Sequence, residues 1–333
     1  MAAPMIPPET AHAFLERHGW GGAEIRPLAG DASFRRYFRV HLDGDTAVLM
    51  DAPPEHEDIE PFLTIAGHLL DRGFAPPRPL GMDRERGLLL LEDFGDRRVA
   101  PLLAEEAENE RQIYEKAVDI LARLAAEPAP PGLPPYGDEA MAREVLLFTD
   151  WYGAALGLEL DVDSYLAAWR EAWADLLEVV ERDPVLVLRD YHADNLMVLP
   201  DGSLGLLDFQ DALAGHPAYD LVSLLQDARR DVSPVLEAAM LDHYVEVANV
   251  ADRERFRAHY EVLGAQRNVK ILGIFTRLWK RDGKPSYPTM HPRIWSYVER
   301  NFAHPAVAPV RAWFDANVPA EYRGDACLRA MAA

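Results

Sequence analysis

The sequence has a single cysteine, no long apolar run and far fewer cations than anions. The lone Cys327 excludes an internal disulfide and any cysteine-based metal cluster. No stretch approaches the roughly 18 consecutive apolar residues that a membrane-spanning helix needs. The N-terminus also lacks a basic segment followed by an apolar run, so no signal peptide is indicated. We therefore expect a cytoplasmic protein without a membrane partner.

The charge balance argues against a nucleic acid partner. The chain carries 55 acidic and 34 basic residues, a formal net charge of −21, and most of its surface should repel phosphate backbones. Its 333 residues are long enough for two domains or one large one, and a hydrophobic content of 49% is enough to fill a core.

Extended patterns dominate the first part of the chain. Residues 24–50 contain alternating stretches separated by "LDGD", and Asp-Gly is typical of hairpin turns. A helix is predicted from Asp58 to Arg72, and "GLLLLEDFG" reads as a buried strand that runs into a bend. We place a domain boundary at this bend, between residues 1–93 and residues 94–333.

The second part has mainly helical periodicity. The predicted helices are Ala104 to Ala126, Asp138 to Leu156, Val162 to Val180, Pro234 to Val247 and Asp252 to Lys280. The fold class is therefore α+β, with a small antiparallel sheet in the N-terminal lobe and a mainly helical C-terminal lobe.

The stretch "VLRDYHADNLMVLPDGSLGLLDF" combines acidic and amide side chains with two short strands around "PDGS". If the loop is 200–203, Leu199 pairs with Leu204, and Asn195 then lies opposite Asp208. Directly opposed Cβ atoms are about 5 Å apart, so an amide oxygen and a carboxylate are expected to share one cation. Such oxygen ligands suit Mg²⁺.

Asp190 lies five residues before Asn195, which is the spacing of the catalytic loop in kinases. In that arrangement the aspartate accepts the proton of the substrate hydroxyl and the asparagine holds a metal ion. Asp208, after the next strand, takes the place of the second metal ligand. The pattern favours phosphoryl transfer over a structural turn cluster.

Of three neighbours of these residues, Arg189 and His192 have two interpretations each and Asp220 has one. Arg189 either orients the loop by pairing with a carboxylate or is solvated. His192 either contacts the substrate or bonds to the loop backbone. Asp220 precedes "LVSLLQDA" and fits a helix N-cap.

In the small lobe, "LAGDASFRRYF" joins two strands through a turn that contains Gly30. Backbone amides at such a turn are able to cover phosphates, although a plain hairpin fits the letters nearly as well. Arg35 and Arg36 offer positive charge, but strand alternation lets only one of them face the nucleotide. The residues predicted to contact the nucleotide in this segment are Ser33, Phe34, Arg35 and Arg36.

One predicted helix places a carboxylate beside aromatic side chains. Glu144, Phe148, Trp151 and Tyr152 have helical spacing, which suits either stacking on a sugar ring or a place in the core. We name Glu144, Trp151, His192 and Asp194 as candidate substrate contacts. A basic concentration lies further along, and it is either a solvated helix face or a region that attracts anions: Arg267, Lys270, Arg277, Lys280, Arg281 and Lys284.

Several blocks together resemble a known group of proteins. "GDASFRRYFRV", "AVLMDAPPE", "LRDYHADNLMVL" and "LLDFQDALAGHPAYDLVSLLQDARRDV" are similar to the aminoglycoside phosphotransferase and choline kinase superfamily, and within it to the anomeric N-acetylmuramate/N-acetylglucosamine kinases of peptidoglycan recycling. The resemblance runs nearly end to end. It implies a protein-kinase-like two-lobed fold, ATP and Mg²⁺ as cofactors, and an amino sugar phosphorylated at its anomeric hydroxyl.

Residue roles follow from the same resemblance. Asp190 resembles the catalytic base, Asn195 and Asp208 the magnesium ligands, and Asp220 a residue that supports the catalytic loop. Arg189 beside Asp190 is a further candidate for support of that loop. The bend from Glu92 through Phe94 to Gly95 resembles the hinge that binds adenine.

One position departs from the superfamily pattern. The usual strand lysine that contacts the phosphates is replaced by Met50, so the charge has to come from Arg35 or Arg36, or ATP is held differently. We expect an amino-sugar kinase that acts as a monomer on ATP and a small-molecule acceptor. The alternatives are a phosphotransferase for an aminoglycoside, choline or homoserine, and a pseudokinase that binds nucleotide without transfer.

Overall fold

The computed structural model describes residues 5–28 and 34–332. Their backbone divides into two compact units. The first runs to Glu105 and also includes Asp194–Asp211, and the second comprises Glu106–Ala193 and the chain from Ala212 onward. None of the described helices has the length and apolar character that crossing a membrane requires. The predicted division into a nucleotide-binding lobe, 1–93, and a sugar-binding lobe, 94–333, stays a prediction.

The strands, in chain order, are β1 (Glu24–Pro27), β2 (Arg36–Leu42), β3 (Asp45–Asp51), β4 (Pro79–Asp83), β5 (Leu88–Glu92), β6 (Val185–Val187), β7 (Leu196–Val198), β8 (Leu204–Leu206) and β9 (Leu213–Gly215). The helices are α1 (Ala11–Arg17), α2 (Glu60–Asp71), α3 (Val99–Glu105), α4 (Glu110–Ala125), α5 (Asp138–Leu147), α6 (Val162–Arg182), α7 (Ala218–Leu225), α8 (Pro234–Val247), α9 (Arg253–Lys280), α10 (His291–Phe302), α11 (Ala308–Asn317) and α12 (Ala326–Ala332).

The first unit is built on a five-stranded sheet of order β1-β2-β3-β5-β4, and all its neighbouring strands are antiparallel. Asp43 and Gly44 form the two-residue turn between β2 and β3, with φ of 51° and 97°, as Asp-Gly predicts. Alternate residues of the sheet, such as Phe38 and Leu49, pack with Phe14 of α1 in a fully buried core. The predicted α+β fold with an N-terminal antiparallel sheet is confirmed.

The hairpin of β7 and β8 has a different register from the one predicted. Val198 pairs with Leu204, and Leu196 pairs with Leu206 rather than Leu207. The loop contains residues 199–203, one more than predicted, and Leu199 N donates to Ser203 O at 2.9 Å to close it. One extra loop residue shifts every predicted pair by one position, and because side chains alternate along a strand, such a shift exchanges the two faces. The predicted opposition of Asn195 and Asp208 within the ladder is therefore wrong.

The second unit is mainly helical. Its long helix α9 packs against α5, α7 and α10. The short strands β6 and β9 pair antiparallel, with Val187 opposite Leu213 and Val185 opposite Gly215. Gly273 lets α9 approach the end of α5, because a Cβ there would lie 2.2 Å from the Leu147 oxygen.

Two predicted helices are interrupted. The pattern from Ala104 to Ala126 divides into α3, which ends at Glu105, and α4, which begins at Glu110. The pattern from Asp138 to Leu156 contains α5 and then a π-helical segment, Phe148–Gly153. Apolar periodicity continues through both interruptions, so it does not reveal them.

Candidate active site

The loop that carries Asp190 follows β6 directly. Asp190 is half-buried, and its N–H donates to Leu188 O at 2.9 Å. Arg189 has φ of 71°, in the left-handed region that non-glycine residues rarely adopt. Such a conformation costs on the order of 1–2 kcal/mol and needs fixed surroundings.

Helix α7 supplies part of those surroundings. The Asp220 carboxylate accepts hydrogen bonds from Leu188 N at 2.6 Å and Arg189 N at 2.8 Å. Ser223, three residues later on the same helix, donates its Oγ hydrogen to Arg189 O at 3.2 Å. The N-cap interpretation of Asp220 is wrong, because Pro217 occupies the N-cap and Asp220 lies inside the first turn. Its contacts are those expected of a residue that supports the loop.

Burial governs the protonation of Asp220. The side chain is 3% exposed, and burial raises its pKa to about 7 although the two backbone N–H groups favour the charged form. The neighbouring Asp190 charge raises this pKa further.

Arg189 also has a buried partner. Its Nη2 donates to Glu144 Oε1 at 2.6 Å, so the solvated interpretation of Arg189 is wrong. Lys270 Nζ lies 2.9 Å from the same oxygen. Burial alone would raise the pKa of Glu144, but the attraction of Lys270 and Arg189 outweighs it and lowers that pKa to about 2. The carboxylate is therefore ionised at neutral pH.

The aromatic side chains that follow Glu144 are divided between core and surface. Phe148 and Tyr152 are fully buried and stacked with ring centroids 5.0 Å apart, so the core interpretation is correct for both. Trp151 is partly buried, and its role as a sugar contact stays a prediction.

His192 lies two residues after Asp190 and is 5% exposed. Arg229 Nη1 is 3.5 Å from its Nε2, and burial lowers its pKa, so the ring is neutral at pH 7. Arg267 and Lys270 are 4% and 9% exposed, so the solvated-face interpretation of the basic concentration is wrong for these two. Asp194 is partly buried, and neither it nor His192 is tested as a substrate contact.

The predicted metal ligands meet in the first unit. Asn195 Nδ2 donates to Asp208 Oδ2 at 3.2 Å, and Gln210 Nε2 donates to Asp208 Oδ1 at 2.7 Å. The two predicted ligands are in contact despite the shifted register, because β8 ends at Leu206 and Asp208, with φ of 58°, lies beyond the ladder. The predicted contact is right, and the reason given for it is wrong.

The donor chemistry of this pair fits magnesium. A carboxylate and an amide oxygen are hard ligands, and Mg²⁺ in phosphoryl-transfer sites takes one or two carboxylates together with substrate phosphates and water. Within residues 5–28 and 34–332, His, Cys, Asp and Glu side chains form no group of three arranged to hold a metal. Asn195 and Asp208 offer the oxygen atoms that a magnesium site of this kind uses.

The two candidate arginines of the small sheet have different partners. Arg36 lies opposite Asp51 in the β2–β3 ladder, and its Nε donates to that carboxylate at 2.7 Å. Arg35 Nε lies 3.7 Å from Glu57 Oε2. Met50 is 1% exposed and pairs with Tyr37 across the ladder.

Two other nucleotide contacts were predicted beside these arginines. Phe34 is 62% exposed and stacks on His56 with ring centroids 4.4 Å apart. Ser33 and Gly30 lie outside the described residues.

The predicted hinge follows β5. Glu92 accepts from Arg78 Nε at 2.9 Å, and this hydrogen bond lowers the pKa of Glu92. Phe94 packs on Gly205 of β8, where a Cβ would come within 2.7 Å of its ring. Gly95 has φ of 75°, which explains the glycine at the bend. Adenine binding by this segment stays a prediction.

Sequence reasoning missed three side chains around these sites. Ser223 and Gln210 carry no motif, although each lies within three residues of a named aspartate. Lys270 belongs to the basic concentration that was interpreted as a solvated helix face or a region that attracts anions, and neither interpretation predicts its contact with Glu144.

Comparisons with known proteins point to phosphotransferases. The family model described as "Phosphotransferase enzyme family" matches residues 24–259. A protein of Caulobacter vibrioides named N-acetylmuramate/N-acetylglucosamine kinase is 39% identical, and the alignment covers 93% of this chain and 96% of that protein. A protein of the same name from Pseudomonas aeruginosa is 40% identical over 84% of this chain and 85% of its own.

Solved structures show the same fold at lower identity. A choline/ethanolamine kinase family protein from Mesorhizobium loti superimposes with a TM-score of 0.63 at 15% identity, over 91% of this chain and 99% of that one.

Proposed function

The chain belongs to the phosphotransferase enzyme family, and from this premise we propose that it phosphorylates N-acetylmuramate and N-acetylglucosamine at the anomeric hydroxyl, with ATP as the donor. The observation that carries the proposal is the near full-length similarity to kinases of that name. The supported Asp190 loop and the Asn195–Asp208 pair supply the side chains that the reaction needs.

Asp190 is the proposed general base. As the anomeric oxygen forms its bond to the γ-phosphorus, the bond from that phosphorus to the leaving oxygen of ADP breaks, and the hydroxyl proton passes to the Asp190 carboxylate. Asn195 and Asp208 would hold magnesium, which when bound neutralises charge on the phosphates. Gln210 holds Asp208 Oδ1 and so fixes the orientation of that carboxylate.

Arg35 is the better candidate for the charge that Met50 does not supply. Arg36 forms a hydrogen-bonded ion pair with Asp51, which lies opposite it in the sheet. Arg35 is paired with the carboxylate of Glu57. In the superfamily, the strand lysine pairs with a helix glutamate, so Arg35 and Glu57 form a similar pair at different positions. We propose that Arg35 contacts the ATP phosphates and that Glu57 orients it.

We further propose that the enzyme works as a monomer in the cytoplasm, where ATP is available. Light scattering of the purified protein tests the oligomeric state, since one chain has a mass of 37.3 kDa.

Phosphorus NMR tests the reaction. The protein is incubated with ATP, magnesium and either amino sugar, with kanamycin and choline in parallel. A phosphomonoester signal coupled to the anomeric proton of the amino sugars is the expected result. A signal with kanamycin or choline alone would refute the proposed acceptor, and nucleotide binding without any product would indicate a pseudokinase.

A further inference from the structure

Glu144 is saturated with hydrogen-bond donors. Its Oε1 accepts from Arg189 Nη2 at 2.6 Å and lies 2.9 Å from Lys270 Nζ. Its Oε2 accepts from the Tyr136 hydroxyl and from Gln266 Nε2, the latter at 3.3 Å. A carboxylate has about four lone-pair sites, so these four donors occupy its capacity.

This saturation argues against a sugar-binding role for Glu144. The side chain is 8% exposed, and a sugar hydroxyl would have to displace one of the four donors. Displacing Lys270 would leave a buried cation without its carboxylate, which is strongly unfavourable.

Arg189 is fixed at three points. Its N–H donates to Asp220 Oδ1 at 2.8 Å, its carbonyl accepts from Ser223 Oγ at 3.2 Å, and its guanidinium binds Glu144. Its φ of 71° sets the direction in which the chain enters Asp190. A change in the position of the guanidinium is therefore transmitted to the backbone that presents the Asp190 carboxylate.

We propose that Glu144 is a positioning residue for Asp190 and acts through the side chain of Arg189. The proposal rests on the proposed function in one respect, namely that Asp190 is the base. Lys270 supplies charge balance: it binds the Tyr219 hydroxyl at 2.9 Å and supports the ionised form of Glu144. Glu144 thus links the Asp190 loop to α5, which is the helix that was predicted to contact the sugar.

The test compares two variants of one buried cluster. Glu144→Gln removes the carboxylate charge that holds Arg189, whereas Lys270→Met removes a neighbouring charge but keeps the Arg189–Glu144 ion pair. With activity normalised to the folded fraction, we expect Glu144→Gln to lower kcat at least tenfold while KM for sugar and ATP stays within twofold. Lys270→Met should lower kcat less than threefold. Equal losses in the two variants would mean general damage to the cluster and would overturn the proposal.

A double-mutant cycle separates positioning from a merely structural role. Arg189→Gln alone should lower kcat as much as Glu144→Gln, and the double variant should be no slower than either, because both remove the same link. Additive losses, or a higher sugar KM at unchanged kcat, would contradict the proposal, and the second result would restore Glu144 as a sugar ligand. If Glu144→Gln does not fold, full kcat in Arg189→Gln still refutes the link.

Failure of the proposed function remains distinguishable from failure of this inference. If the wild-type protein transfers to neither amino sugar, the proposed acceptor is wrong. The kcat values of the same variants are then measured with the acceptor that the protein does use, or in the slow hydrolysis of ATP by water. The expected ratios of variant to wild-type kcat stay the same.

Discussion

Replacing Glu144 by glutamine should destabilise the protein by an amount that depends on pH. The folded-state pKa of about 2 lies below the ordinary 4.5, because the attraction of Lys270 and Arg189 outweighs burial. At about 1.4 kcal/mol per pKa unit, this difference corresponds to roughly 3 kcal/mol of stabilisation at pH 7. The side chain is 8% exposed, so solvent screening removes little of it.

The sign of the pH dependence follows from the lowered pKa. The stabilisation is fully present above the unfolded-state pKa of Glu144 and is lost as the pH falls through the folded-state value. The difference in unfolding free energy between wild type and Glu144→Gln should therefore shrink from about 3 kcal/mol at pH 7 to about 2 kcal/mol at pH 3.5.

Urea unfolding followed by tryptophan fluorescence at several pH values measures this difference. Glu139→Gln is the matched control, since Glu139 is an exposed acid on the same helix, and it should change stability by less than about 0.5 kcal/mol. A Glu144→Gln variant as stable as wild type at pH 7 would refute the reasoning, because it would mean that desolvation of the ion cluster cancels its attraction. A loss that does not vary with pH would exclude the ionised carboxylate as its source.

Three further predictions concern the proposed chemistry. Asp190→Asn should lower kcat by at least about a thousandfold, with the melting temperature and ATP binding of the wild type, and unchanged turnover would remove Asp190 from the mechanism. Arg35→Met should raise KM for ATP about tenfold or more, whereas Arg36→Met should mainly lower the melting temperature through the lost contact with Asp51; the reverse pattern would assign the phosphates to Arg36. Asp208→Asn should raise the magnesium concentration for half-maximal activity about tenfold or more, and an unaltered magnesium titration would show that Asp208 is not a ligand.

Local patterns predicted much of the fold correctly. Asp-Gly punctuation located the β2–β3 turn, and apolar periodicity located α2, α6, α8 and α9 closely. Helices α1 and α10 to α12 were not predicted. Spacing also selected Asn195 and Asp208 correctly as neighbours, but it had no means of counting the residues in the hairpin loop.

The sequence does not show which charged side chains pair in the folded protein. Glu144, Arg189 and Lys270 lie on three separate elements, and nothing in their local sequence shows that they meet. Each by itself is most simply interpreted as a surface residue or a ligand contact. Only the packing of α5 and α9 beside the loop converts three separate charges into one buried cluster.

Both candidate functional segments contain a residue with a strained backbone. In the part of the chain that the structure describes, four non-glycine residues have positive φ, and two of them are Arg189 and Asp208. Each is held by side-chain hydrogen bonds: Asp220, Ser223 and Glu144 hold the first, and Asn195 and Gln210 hold the second.

Strain of this kind persists only where the surroundings over-determine the conformation. Glycine at position 189 would relieve the strain, but it would also remove the guanidinium that fixes the loop to Glu144. Arginine at position 189 therefore combines a strained backbone with a side-chain contact that glycine could not make.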